Sequence, residues 1–165
     1  MEYQAAKAKF LQEWGVLGSQ WGINRTMAQI HALLLISPEP ICVKEVMDEL
    51  KISLGNANMN LRALMDWGLI YKVAIPGERK DFYEAEKDIW EVVKRIIKKR
   101  KERELEPVLK MLDEVSAAEG EGPEVQAFRK AIQDIRLFSG KADALMETLL
   151  KADSGWVNTF MKMVR

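Results

Sequence analysis

The chain has 165 residues, 48% of them hydrophobic, enough for one domain, or one small domain with helical extensions, to bury a core unaided. Its 25 basic and 25 acidic side chains cancel, so total charge gives no vote for a polyanionic partner and must be read locally. One cysteine, Cys42, excludes an internal disulfide and fits a reducing compartment, while no apolar run approaches a ~20-residue membrane span and MEYQAAKAKF lacks a signal-peptide core, so a cytoplasmic protein without membrane contact is expected.

Residues 3–21 read as an amphipathic helix, with Tyr3, Phe10, Trp14, Leu17 and Trp21 on one stripe at spacings of 7, 4, 3 and 4. Gly22 ends it. Asn24 is placed to cap a second helix through Met27, Ile30, Leu34 and Leu35. Ser37-Pro-Glu-Pro40 breaks that helix, because a residue before proline is pushed out of the helical region. A short extended piece, Ile41-Cys42, leads into a helix over 43–50. Lys51 and Ile52 form a tight turn, Ser53 caps a helix that runs to Trp67, and Gly68 stops it.

The period then changes. Residues 69–75 read as a strand, 76–81 (PGERKD) as turn chemistry and 82–85 as a second strand, together one hairpin. From Asp88 the chain reads as helical to its end, interrupted at Pro107, at 120–123 and at Ser139-Gly140. Helix, short strand, helix, turn, helix and hairpin within about 65 residues is the layout of a winged helix-turn-helix. The expected fold is therefore mainly α. A winged helix-turn-helix with a small β-hairpin wing fills 23–87, and the N-terminal helix (1–22) and the helical region 88–165 form a dimerisation region.

The helix over 53–67 is built from poor helix formers. Gly55, Asn56, Asn58 and Asn60 together cost roughly 2.5–3 kcal/mol against alanines. At about 100° per residue, Ala57, Leu61 and Leu64 share a packing face with Leu54 and Gly68 near it, aimed at Val46 and Leu50. Opposite lie Gly55, Met59, Arg62 and Asp66, flanked by Asn56 and Asn58. A helix entering the major groove of DNA needs such a face. Gly55 permits close backbone approach, asparagine can bond adenine in a bidentate pair, Met59 can touch a thymine methyl, and Arg62 can reach a guanine or a phosphate. The free amides near Ser53 and Leu54 suit a phosphate. Asn60 sits nearer the packed side, where local hydrogen bonding is the simpler role. The plainer alternative, a merely solvated face, usually carries Lys and Glu instead of asparagine.

Arg79 and Lys80 project from the hairpin turn, where a wing meets the minor groove or its phosphates. Lys44, Lys51, Arg62, Lys72, Arg79 and Lys80 can share one side and supply positive charge along a phosphate track. A further run over 94–103 has seven basic residues and one acidic, which is more often a solvated helix segment than a contact surface.

With these residues in view, the chain resembles the GbsR branch of the MarR-type winged-helix transcriptional regulators. The resemblance rests on GINRTMAQIHALLLISPEPI, LKISLGNANMNLRAL and WGLIYKVAIPGERKDFYEAEKDIW with the charged helix after it, and covers about 10–115. It implies a homodimer that binds a palindromic operator in double-stranded DNA and acts on transcription. It carries a recognition helix of Gly55, Asn56, Asn58, Met59, Asn60 and Arg62, and a wing of Gly77, Arg79 and Lys80. Ala57-Asn58 departs from the pattern, where a bulkier residue and then Ser are expected, and this bears on base preference.

The stripe from Tyr3 to Trp21 and a late stripe of Leu145, Leu149, Trp156, Phe160 and Met163 exceed what a winged-helix core requires. Large exposed apolar patches usually mark interfaces, so the terminal helices are expected to build a two-fold dimer; packing of the two stripes on each other is the alternative. Some relatives are similar to sensors of small osmoprotectant-related cations. Trp14 and Trp21, with Trp67, Trp90 and Trp156, could cage a quaternary ammonium effector, although tryptophans are more often core and interface. No catalytic, metal or cofactor site is expected. The single His31 sits mid-helix beside Leu33 and Leu34, and neither His/Cys metal spacing nor a phosphate loop nor a nucleophile motif occurs. The competing function is a winged-helix protein-interaction adaptor that never engages DNA.

Overall fold

Side-chain caps start the helices at the centre of the fold in the computed structural model, which describes residues 1–152 and 155. Helix α1 spans Tyr3–Gln20 and α2 spans Arg25–Ile36. Asn24 caps α2: its Oδ1 accepts from the N–H groups of Thr26 at 2.9 Å and Met27 at 3.2 Å. Strand β1, Ile41–Cys42, runs directly into α3, Val43–Leu50, where Glu45 accepts from the Cys42 N–H at 2.7 Å. Helix α4 spans Leu54–Asp66, and Ser53 Oγ accepts from the Asn56 N–H.

The strands β2, Ile70–Val73, and β3, Phe82–Ala85, form an antiparallel hairpin, and β1 joins the far side of β3 to give the order β1-β3-β2. Strand β2 ends two residues before the expected Ile75. The turn chemistry acts earlier than expected, because Pro76 cannot donate to a ladder and Glu78 N–H bonds back to Ile75 O at 3.1 Å. Gly77 takes φ +87° there, as the third residue of a type II turn requires.

The molecule divides into two units, Met1–Val92 and Val93–Arg165. In the first, α2 is the central element, packed by α1, α3, α4 and β3. Ile30, Leu34, Val46, Leu61, Leu64 and Ile70 are its largest fully buried side chains, each worth about 1.5–3 kcal/mol of transfer free energy. This is a winged helix-turn-helix. Leu54 departs from expectation: it is 50% exposed, because the first turn of α4 overhangs the core.

Helix α1 packs on α2 through Leu11, Gly15 and Gly18. A Cβ on Gly18 would stand 2.5 Å from the Ala28 Cβ, so glycine there allows the close approach of the two helices. The aromatic stripe is consequently not the packing face. Tyr3 and Trp21 are exposed, and Phe10, Trp14 and Leu17 are half-buried.

In the second unit, Pro107 does not interrupt the helical run. Helix α5, Ile89–Arg100, which begins in the first unit, passes through a π-helical turn, Lys101–Leu105, into α6, Glu106–Ser116. Proline clashes with the carbonyl four residues back in a regular α-helix, and the wider turn, in which Glu106 N–H bonds to Lys101 O, relieves that conflict. Ser139-Gly140 is no break either, since α7 is continuous over Pro123–Lys151. Ser139 is buried within it, and a helical glycine costs only about 1 kcal/mol. The break at 120–123 is present as a loop before α7. Lys101 Nζ ties the π-turn to α6 and α7, lying 3.1 Å from carboxylate oxygens of Glu106, Asp143 and Glu147. Trp156, Phe160 and Met163 of the late stripe lie outside the described residues.

Candidate nucleic-acid interface

Helices α3 and α4 meet through a sharp turn that Lys51 makes in the left-handed region, φ 54° and ψ 46°. A non-glycine residue there costs roughly 1–2 kcal/mol. The turn sets the approach of α4, whose inner face of Ala57, Leu61 and Leu64 is 1% exposed or less. Ser53, Gly55, Met59 and Arg62 are exposed along the outer side of α4, and Asn56 and Asn58 are half-buried at its flanks. Open space surrounds Gly55: a Cβ there would meet nothing within 4 Å. Packing within the chain therefore does not require glycine at this position.

Asn60 is 3% exposed. Its Nδ2 donates to Asn56 O at 2.9 Å and to Asn56 Oδ1 at 2.7 Å, so it holds the Asn56 side chain from beneath and does not reach the outer face. The spacing hinted at this inward placement, and the bond to Asn56 required the three-dimensional helix.

The basic residues divide into two groups. Lys44, Arg62 and Arg79 are exposed and make no ion pair among the described residues. Lys72 is paired with Asp81 at 2.8 Å, which raises its pKa through that hydrogen bond, and Lys80 lies 4.0 Å from Glu78. Arg79 is thus the wing cation that stands outside these ion pairs. Exposed pairs of the Lys72 kind contribute little to stability.

Two features escaped the linear reading. Lys87 Nζ donates to the carbonyls of Leu34 at 2.8 Å, Leu35 at 2.9 Å and Ser37 at 2.7 Å, closing the C-terminal end of α2 from the far side of the hairpin. Nothing in the local sequence signals a contact some fifty residues distant. Close by, His31 is buried in α2 with its Nε2 without a hydrogen-bond partner. Burial, aided by the charge on Lys87, pulls its pKa down to about 4, so it is a neutral packed group at pH 7.

On α1, Phe10 and Trp14 lie with ring centroids 5.3 Å apart beside an open hollow of about 320 Å³, shared with Glu13, Val16, Leu17 and Gln20. Trp14 lines this hollow and the exposed Trp21 does not. No cluster of potential metal ligands is assembled among the described residues, and no described helix is long and apolar enough to cross a membrane.

No protein-family model matches the sequence. No curated protein matches it. Among solved structures, the chain is similar to a crystal structure of a transcriptional regulator, with a TM-score of 0.67 and 18% identity over 88% of this chain and 95% of that one. At that identity the likeness establishes a shared fold. A transcriptional regulator from Thermotoga maritima aligns at a TM-score of 0.41, with 14% identity over 91% of this chain and 95% of that one. The PerR-Zn-Zn structure aligns at 0.37, with 20% identity over 41% of this chain and 48% of that one, and neither score carries an argument.

Proposed function

We propose that the chain is a cytoplasmic, non-enzymatic transcriptional regulator of the MarR type, in its GbsR-like branch, that binds a palindromic operator as a homodimer. Helix α4 enters the major groove, with Asn58, Met59 and Arg62 toward base edges and Gly55 at the closest backbone approach. Asn56 is held in place by Asn60. Ser53 and Lys44 contact phosphates, and the wing brings Arg79 and Lys80 to the minor groove or its phosphates. A small-molecule effector acting through α1 completes the reading.

The observation that carries it is the outer face of α4. It is small and neutral at its start, bears one exposed arginine in its middle, and has a glycine that internal packing does not demand. A neighbour of shared fold, described as a transcriptional regulator, supports the same reading. Titration of promoter duplexes at two salt concentrations tests it. Affinity falls steeply as salt rises, because phosphate contacts release counterions. Arg79→Ala weakens binding on all sequences, and Arg62→Ala weakens it selectively by about 1–3 kcal/mol if the guanidinium reads a base. A folded dimer that binds no duplex at low salt overturns the proposal in favour of a protein-interaction adaptor.

A further inference from the structure

The outer face of α7 carries an apolar repeat separate from its packing face. Phe128, Ala131, Ile135, Phe138, Ala142 and Leu145 follow one another at spacings of 3, 4, 3, 4 and 3, the heptad pattern of a helix that winds against another helix. The span is about 26 Å long at 1.5 Å per residue. Its large side chains are exposed, Phe128 by 41%, Ile135 by 48%, Phe138 by 75% and Leu145 by 62%, as is Ala131, while Ala142 is half-buried. The side turned toward α6 is a different one, marked by buried Ser139 with half-buried Val125, Ile132 and Met146 at seven-residue intervals.

We infer that this seam is covered by α7 of a second copy, running antiparallel about a two-fold axis. The assignment rests on the homodimer reading above and adds the surface and its register. Reversed upon itself, the seam stacks Phe128 against Leu145, Ala131 against Ala142 and Ile135 against Phe138, and the two-fold repeats the three layers in mirror order. Large meets large and small meets small in every layer, which is the self-complementarity an isologous contact needs. The paired alanines let the helix backbones draw close between the bulky layers.

Charge selects the direction. Asp134 and Lys141 precede the seam residues Ile135 and Ala142 by one position, and the antiparallel register sets them beside each other twice across the axis. A parallel pairing of the same seam brings Asp134 beside Ser139 and Lys141 beside Met146, with no ion pair.

Cysteine pairing in the full chain tests this, in a Cys42→Ser background with oligomeric state read by sedimentation. In the antiparallel register Ala131→Cys and Ala142→Cys each lie about 16 Å from their own symmetry mates, so neither variant cross-links alone under mild oxidation or with a short bis-maleimide. An equimolar, subunit-exchanged mixture of the two gives a covalent dimer from its mixed pairs. Self-linking of Ala131→Cys alone overturns the direction. A sedimenting dimer that cross-links in no combination overturns the seam and leaves the homodimer standing. A monomer at micromolar concentration overturns both. As a second readout, Lys141→Glu raises the dimer dissociation constant several-fold and Asp134→Lys added to it restores the parent value; no rescue overturns the register.

Discussion

His31 is the single histidine of the chain and sits with its Nε2 unsatisfied inside α2. Its pKa of about 4 lies below the ordinary 6.5, because burial disfavours the imidazolium and Lys87 repels it. As pH falls below 6.5 the unfolded chain takes up a proton that the folded chain refuses, so stability drops until about pH 4, where both forms are protonated. The gap corresponds to about 3 kcal/mol. Denaturant titrations at pH 7 and pH 4 will show this loss in the parent and its absence in His31→Met, the remaining acid loss being common to both. Lys87 offers a second check. Lys87→Met removes three charge-assisted bonds from the end of α2 and lowers stability by about 1–2 kcal/mol, and it lets the His31 pKa rise toward its ordinary value.

Among the elements, α4 shows how the cost of weak helix formers is borne. Ala57, Leu61 and Leu64 bury one side of it against the core, so tertiary packing supplies what propensity withholds. Gly55 separates stability from function. Since a Cβ there meets nothing and φ is not positive, Gly55→Ala stabilises the protein by about 0.5–1 kcal/mol. Under the proposed docking the same methyl group intrudes where the backbone nears the bases. Thermal denaturation will therefore report a gain while duplex affinity falls; affinity unchanged or improved would remove Gly55 from the interface. Asn60 behaves in the opposite sense. Asn60→Ala frees the Asn56 side chain and leaves its acceptors without their local donor, reducing stability by about 1 kcal/mol.

At the scale of the molecule, the proposed two-fold symmetry has to match the period of DNA. Two recognition helices in one dimer reach successive major grooves when their half-sites are about 34 Å apart, roughly one helical turn. Inserting about half a turn of DNA between the half-sites rotates one of them to the opposite side of the duplex. Affinity then falls to that of a single half-site, and inserting a full turn does not restore it if the dimer is rigid. Mobility shifts on spaced duplexes measure this, and equal binding at every spacing excludes a two-headed grip.

What the sequence by itself determined was local: capping at Asn24 and Ser53, the stop at Gly68, the hairpin around Gly77, and the two faces of α4. Each depends on residues within one or two turns of each other, so periodicity and capping chemistry suffice to read it. The tertiary structure decided what distant chain segments settle between them. Gly15 and Gly18, not the aromatic stripe, seat α1, because only there can two helices approach so closely. The π-turn absorbs Pro107 while Lys101 ties it to carboxylates on α6 and α7. Lys87 closes a helix that ends fifty residues before it. Asn60 moved from the face of α4 to its support, since a few tens of degrees around a helix separate solvent from core and only the packed neighbours fix that angle.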